Sequence, residues 1–177
     1  NLRISYEASE KYMDYLNYHT DESNRFTSSH DGPWVEEYRK FEETHTNPDR
    51  LVASLFKDKY FILKKVNPKE LMWGMYWVAS DMQNAETKVS FYDLFKGQEL
   101  FDLWQCVNYR FYVGNANHAD GKGIVVANAK SLLRNILDSA DEAIRKGGIA
   151  ATLRFGHDGN VIPLVALMQI ENCNVAV

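Results

Sequence analysis

No apolar run in the 177 residues approaches the ~18 needed to cross a bilayer, so no membrane span is expected. Glycine and proline are sparse at ten and four residues, below their usual ~12% share, which favours long helices over a turn-rich all-β fold. Basic residues do not outnumber acidic ones: 20 against 24 give a net charge of −4. With no basic stripe either, nucleic acid is not an expected partner. The two cysteines, Cys106 and Cys173, are compatible with a disulfide in an exported protein and equally with two free core thiols. There is no repeat, low-complexity tract, metal-ligand set of usable spacing, glycine-rich phosphate loop or nucleophile elbow. No metal or cofactor is therefore expected. What remains is ordinary globular composition, 45% apolar and 25% charged, in a chain long enough for one domain or one domain plus part of another. The first residues, Asn1 to Tyr6, form neither a signal peptide nor an initiator methionine. The last, Cys173 to Val177, carry no polar tail. Both ends read as lying within a longer protein.

Helix signals dominate the pattern. Gly32-Pro33 opens a segment with Trp34, Tyr38 and Phe41 on one face, and Asn47-Pro48 and Asn67-Pro68 each pair a cap with proline at the first helical position. Glu70, three residues after Asn67, resembles a capping box. The helix that follows has the stripe Leu71, Met75, Val78 and Met82. Ser90 and Asp93 mark a short helical turn. A longer helix then carries Leu100, Leu103, Trp104, Val107 and Phe111 inward, with Gly114 as its stop. Beyond the loop from Asn115 to Gly123, Val125, Ala129, Leu132, Leu133, Ile136, Leu137, Ala140 and Ile144 predict a long amphipathic helix ended by Gly147-Gly148. Ile149 to Phe155, short and mostly apolar, predicts a strand buried on both faces of a parallel sheet. Val161 to about Gln169 predicts a final helix, with Asn160 as cap and Pro163 in the first turn. The expected class is α/β, predominantly helical here, with the remaining strands supplied by other chain.

The turn between that strand and the last helix, Gly156-His157-Asp158-Gly159-Asn160, carries the chemistry. Ligands of open parallel sheets bind beyond the carboxyl ends of strands, and a helix start there offers unpaired N–H groups and a positive dipole end. An imidazole can bind an anion, the neighbouring carboxyl can hold or deliver a proton, and the glycines clear space for a substrate. Anion site plus acid is what phosphate-ester cleavage needs. The bland alternative is a turn whose Asp or Asn merely caps the helix. The similar His30-Asp31-Gly32 follows a polar run and reads as a loop and helix start. His118-Ala119-Asp120-Gly121 reads as a flexible loop, with a rim contact as its functional alternative. His19 and His45 read as solvated. Trp73, Tyr76, Trp77, Trp104, Tyr109, Phe111 and Tyr112 read as core in preference to a ring-binding site. Lys57, Lys59, Lys64, Lys65 and Lys69 read as a solvated surface, with a polyanion contact as the sharper alternative.

The stretch Leu153 to Met168, LRFGHDGNVIPLVALM, resembles the C-terminal motif of the histidine acid phosphatases, in the branch with phytases and multiple inositol polyphosphate phosphatases. The order of elements before it is similar as well: a helix with Leu103-Trp104 and Phe111-Tyr112, a glycine loop, and a long amphipathic helix. The resemblance implies a three-layer α/β/α core to which residues 85–177 belong, with residues 1–84 as a helical α-domain. It implies attack on phosphorus by the histidine of an Arg-His-Gly motif and hydrolysis of the resulting phosphohistidine. His157, with Gly156 and Asn160, would bind the phosphoryl group. Asp158 would protonate the leaving oxygen. Many inositol polyphosphate phosphatases have His-Ala-Glu at this place, so His-Asp-Gly leaves the substrate open between an inositol phosphate and another phosphomonoester such as a sugar phosphate. A periplasmic or secreted location is implied by the same resemblance. No Arg-His pair occurs in the 177 residues. The nucleophile is therefore expected from a missing upstream part of the same protein, and this chain alone is expected to be inactive. A non-catalytic helical binding module is the rival from a different class.

Overall fold

The computed structural model describes residues 20–116, 118–148 and 151–171. Among them eight α-helices follow one another: α1 (Asp21–Thr27), α2 (Val35–His45), α3 (Pro48–Leu55), α4 (Lys59–Lys65), α5 (Pro68–Asp81), α6 (Gly97–Asn115), α7 (Lys130–Lys146) and α8 (Asp158–Leu167). Short 3-10 turns join some of them, and no strand is present among the described residues. The α/β expectation, including membership of an α/β/α core, is therefore corrected to all-α. The correction centres on the expected strand. Ile149 and Ala150 lie outside the described residues, while residues 151–157 take no regular structure. Leu153 is 76% exposed and Phe155 87% exposed. A strand must place its backbone N–H and C=O groups on a neighbour, and here no neighbouring strand is offered.

The described residues before Glu36 and after Val107 form one compact unit, and Glu36–Val107 form another. In the second, local capping starts the helices as their sequences predict. Asn47 Oδ1 accepts from Arg50 N at 3.1 Å at the start of α3. Asn67 Oδ1 accepts from Lys69 N and Glu70 N at 3.0 and 3.3 Å at the start of α5. Each proline sits in the first turn, where an N–H would have no helical partner. Asp58, a cap that the sequence reading missed, accepts from Tyr60 N and Phe61 N and starts α4. Leu51, Met72, Tyr76, Phe95 and Leu103 make the core. The α5 stripe is shifted by one residue: Met72, Tyr76 and Ala79 are buried, while Val78 is exposed. Residues 71–79 are apolar nearly all round, so periodicity alone could not select the face. Two ion pairs stiffen this unit. Arg50 Nε lies 2.6 Å from Glu99 Oε1, and its Nη2 donates to Leu94 O at 3.0 Å. Glu42, buried on α2, accepts from Trp73 Nε1 at 2.8 Å and from Lys69 Nζ at 2.5 Å, so its charge is compensated.

In the other unit Trp34 Nε1 donates to Phe26 O at 2.9 Å. This close turn requires Gly32, since a Cβ there would lie 2.5 Å from Ser28 O and 2.6 Å from Phe26 O. His30-Asp31-Gly32 is the loop expected of it, with Ser28 Oγ donating to the Asp31 carboxylate. A second small core gathers Ala116, Val126 and Ala166, with Tyr112, Ile162 and Leu167 packed on it. Helix α7 ends where φ turns positive at Gly147 (67°) and Gly148 (114°), as the glycine pair predicts. Val125 and Ala129, expected inside that helix, belong instead to the turn region before it.

Candidate functional site

Helix α8 begins earlier than expected. His157, with extended backbone (φ −95°, ψ 173°), occupies the cap position, and its carbonyl accepts from Asn160 N at 3.0 Å and Val161 N at 3.1 Å. Asn160 is therefore inside the first turn and is not the cap. Pro163 stands in the second turn, where its missing N–H leaves the Gly159 carbonyl without the usual helical donor. The shift has a local cause. An acidic residue in the first turn interacts favourably with the positive end of the helix dipole, and the Asp158 carboxylate also accepts from Gly159 N at 2.8 Å.

Gly156 and Asn160 come together in a small, open pocket. Leu132 and Ile136 of α7 and Val161 and Leu164 of α8 supply its apolar walls, with Arg154 and Phe155 from the segment between. A Cβ on Gly156 would stand 3.4 Å from Asn160 Oδ1, so the glycine leaves room there for that amide. His157 and Asp158 do not line this pocket. They are exposed at the adjoining helix start. The pair is thus adjacent in sequence and accessible, with the expected binding residues Gly156 and Asn160 turned toward the pocket.

Arg154 is the pocket residue to which the sequence reading gave no role. Its Nη2 donates to Asn135 Oδ1 at 2.9 Å and to Ser139 Oγ at 2.8 Å, and its Nε donates to Asn135 Oδ1 at 3.3 Å. These bonds tie the segment before the Gly-His-Asp turn to α7. A lone guanidinium in the mostly apolar run from Ile149 to Phe155 was the signal that could have singled it out.

The other singled-out residues are placed differently from one another. His118, expected in a flexible loop, caps the 3-10 turn Ala119–Gly121, and its Nδ1 accepts from Asp120 N at 3.3 Å. Its buried ring lies 5.4 Å from that of Tyr112 and 6.1 Å from that of Phe26. His45, expected to be solvated, is half-buried and stacks on Phe41 at 3.9 Å. His19 and Cys173 lie outside the described residues. Of the aromatic stretch, Tyr76 is core and Trp73 packs against it, whereas Trp77 and Trp104 are exposed. Cys106 is a free, fully buried thiol. Burial, reinforced by the Glu42 and Asp102 carboxylates, pushes its pKa up to about 12, which leaves it inert as a nucleophile. Among the described residues no helix is long and apolar enough to cross a membrane. No family model matches the chain, and no curated protein matches it.

Proposed function

We propose that this chain contributes half of a phosphomonoester hydrolase site, acting on an inositol phosphate such as phytate through a phosphohistidine intermediate. The observation that carries the reading is the run Leu153 to Met168, with His157 and Asp158 side by side and accessible at the start of α8. The imidazole binds phosphoryl oxygens at the positive end of the α8 dipole. A histidine of an Arg-His-Gly segment outside these 177 residues attacks phosphorus, and the P–O bond to the inositol breaks. Asp158, carrying a proton, gives it to the departing alkoxide. Water then cleaves the N–P bond, releasing phosphate and restoring the histidine. Export to the periplasm or the cell exterior belongs to the same proposal.

A second reading has its own support. The hydrogen bond from Gly159 N to the Asp158 carboxylate is a local side-chain-to-backbone contact within the first turn of α8, and it fits a helical binding module with no chemistry. The leaving group separates the two. An inositol alkoxide leaves poorly unless protonated, whereas nitrophenolate is already stable as an anion, and a positioned acid is worth typically ~10²–10⁴-fold. In a protein joining these residues to the Arg-His-Gly segment, Asp158→Asn is expected to cut phytate turnover by that factor. The same change should spare the burst of phosphorylation by p-nitrophenyl phosphate. Equal losses on both substrates would assign Asp158 to capping. A panel with sugar phosphates in the same assay identifies the preferred ester.

A further inference from the structure

We propose that the exposed face of helix α4 is a docking surface for an anionic lipid bilayer. Tyr60 is 80% exposed and Phe61 51% exposed, two large rings held in water, while Ile62 is buried and anchors the helix to its unit. Lys57, Lys64 and Lys65 are exposed around them and form no ion pair among the described residues. At about 100° per residue, Tyr60, Lys64, Phe61 and Lys65 fall in that order within an arc of about 140°. Rings and ammonium groups therefore alternate across one face. Asp58 is the sole acid between Lys57 and Lys69, and its carboxylate is already engaged by the N–H groups of Tyr60 and Phe61 at 2.9 and 3.1 Å. A locally cationic face on a chain of net charge −4 is the charge complement of an anionic surface.

Two features favour a bilayer over a nucleic acid. The rings point about 100° apart, so they give no parallel platform on which successive bases could stack. Aromatic side chains with lysines beside them suit the headgroup level of a membrane, where the rings meet acyl chains and the lysines meet phosphates. Each lysine near an anionic leaflet is worth about fivefold in binding, so three give about 10²-fold.

The test is cosedimentation of the 177-residue chain with phosphatidylcholine vesicles, with and without phosphatidylserine. Binding to the phosphatidylserine vesicles alone is expected, falling with added salt. The triple variant K57Q/K64Q/K65Q should lower the partition coefficient about 10²-fold, and Y60S/F61S by about 10-fold or more through lost ring burial. Far-UV circular dichroism checks that each variant keeps its helices. Should one lose them, the salt dependence of the unaltered chain decides. Absence of sedimentation, equal binding to neutral vesicles, or binding unchanged in Y60S/F61S would overturn the proposal. In the last case equal retention of an oligonucleotide would identify a generic polyanion patch.

Discussion

Helices α5 and α7 each carry an apolar stripe in sequence and end differently in structure. Helix α5 is apolar nearly all round and sinks three residues, Met72, Tyr76 and Ala79, into the core of its unit. Helix α7 has the cleaner stripe, yet Leu132 is its sole buried residue, and Ile144 is 84% exposed. The segment after α7 repeats the contrast with the bare side chains of Leu153 and Phe155. A periodic stripe thus specifies which face is ready for burial. Whether it is buried depends on what the rest of the chain brings against it.

The sharpest way to break that comparison is truncation on both sides of it. Leu51→Ala, in the core of Glu36–Val107, is expected to cost about 2–5 kcal/mol. Ile144→Ala is expected to stay within about 0.5 kcal/mol. Urea melts of both variants check this, and similar losses would mean that the α7 stripe is covered after all.

Cys106 sharpens the same contrast through pH. Its thiol rises from an ordinary value near 9 to about 12 in the fold, so the folded state holds a proton that the unfolded state gives up. That contribution is fully present below pH 9 and is lost as pH climbs toward 12, at about 1.4 kcal/mol per pH unit. Stability against urea should fall more steeply over this window in the natural chain than in Cys106→Ala. In a Cys173→Ser background, Cys106 should react with a thiol reagent at pH 8 only after unfolding.

Smaller effects belong to the helix ends. Asn67→Ala is expected to cost about 1 kcal/mol, because two backbone N–H groups lose their acceptor. Arg39→Ala should leave the urea midpoint unmoved. Its guanidinium holds the Glu36 carboxyl below the usual carboxylate range, yet the pair is solvent-exposed and screened.

Local chemistry made much of this legible. Asn47-Pro48, Asn67-Pro68 and Gly147-Gly148 punctuate helices where their sequences place them, because caps and positive-φ glycines act within a turn of chain. Long-range packing was less legible. The α5 face shifted by one residue because nearly every side offered an apolar residue. The strand was read from an apolar run, but a strand exists through its neighbour, and no neighbouring strand is present among the described residues. At the site, a helix following the Gly-His-Asp turn was legible in the sequence, but the residue at which it starts was not. The cap passed from Asn160 to His157 through a shift of one turn in helix start, and the anchoring of Arg154 by Asn135 and Ser139 depended on a contact across α7 that no local pattern encodes.

The central claim, that the Gly-His-Asp turn receives a phosphoryl group, is tested most directly by titrating the 177-residue chain with inorganic phosphate and following amide and imidazole resonances. Saturable shifts at His157, Gly159 and Asn160 that disappear in His157→Ala, without turnover of p-nitrophenyl phosphate by the chain alone, are predicted. Unperturbed resonances at these residues, or shifts that persist unchanged in His157→Ala, would contradict it.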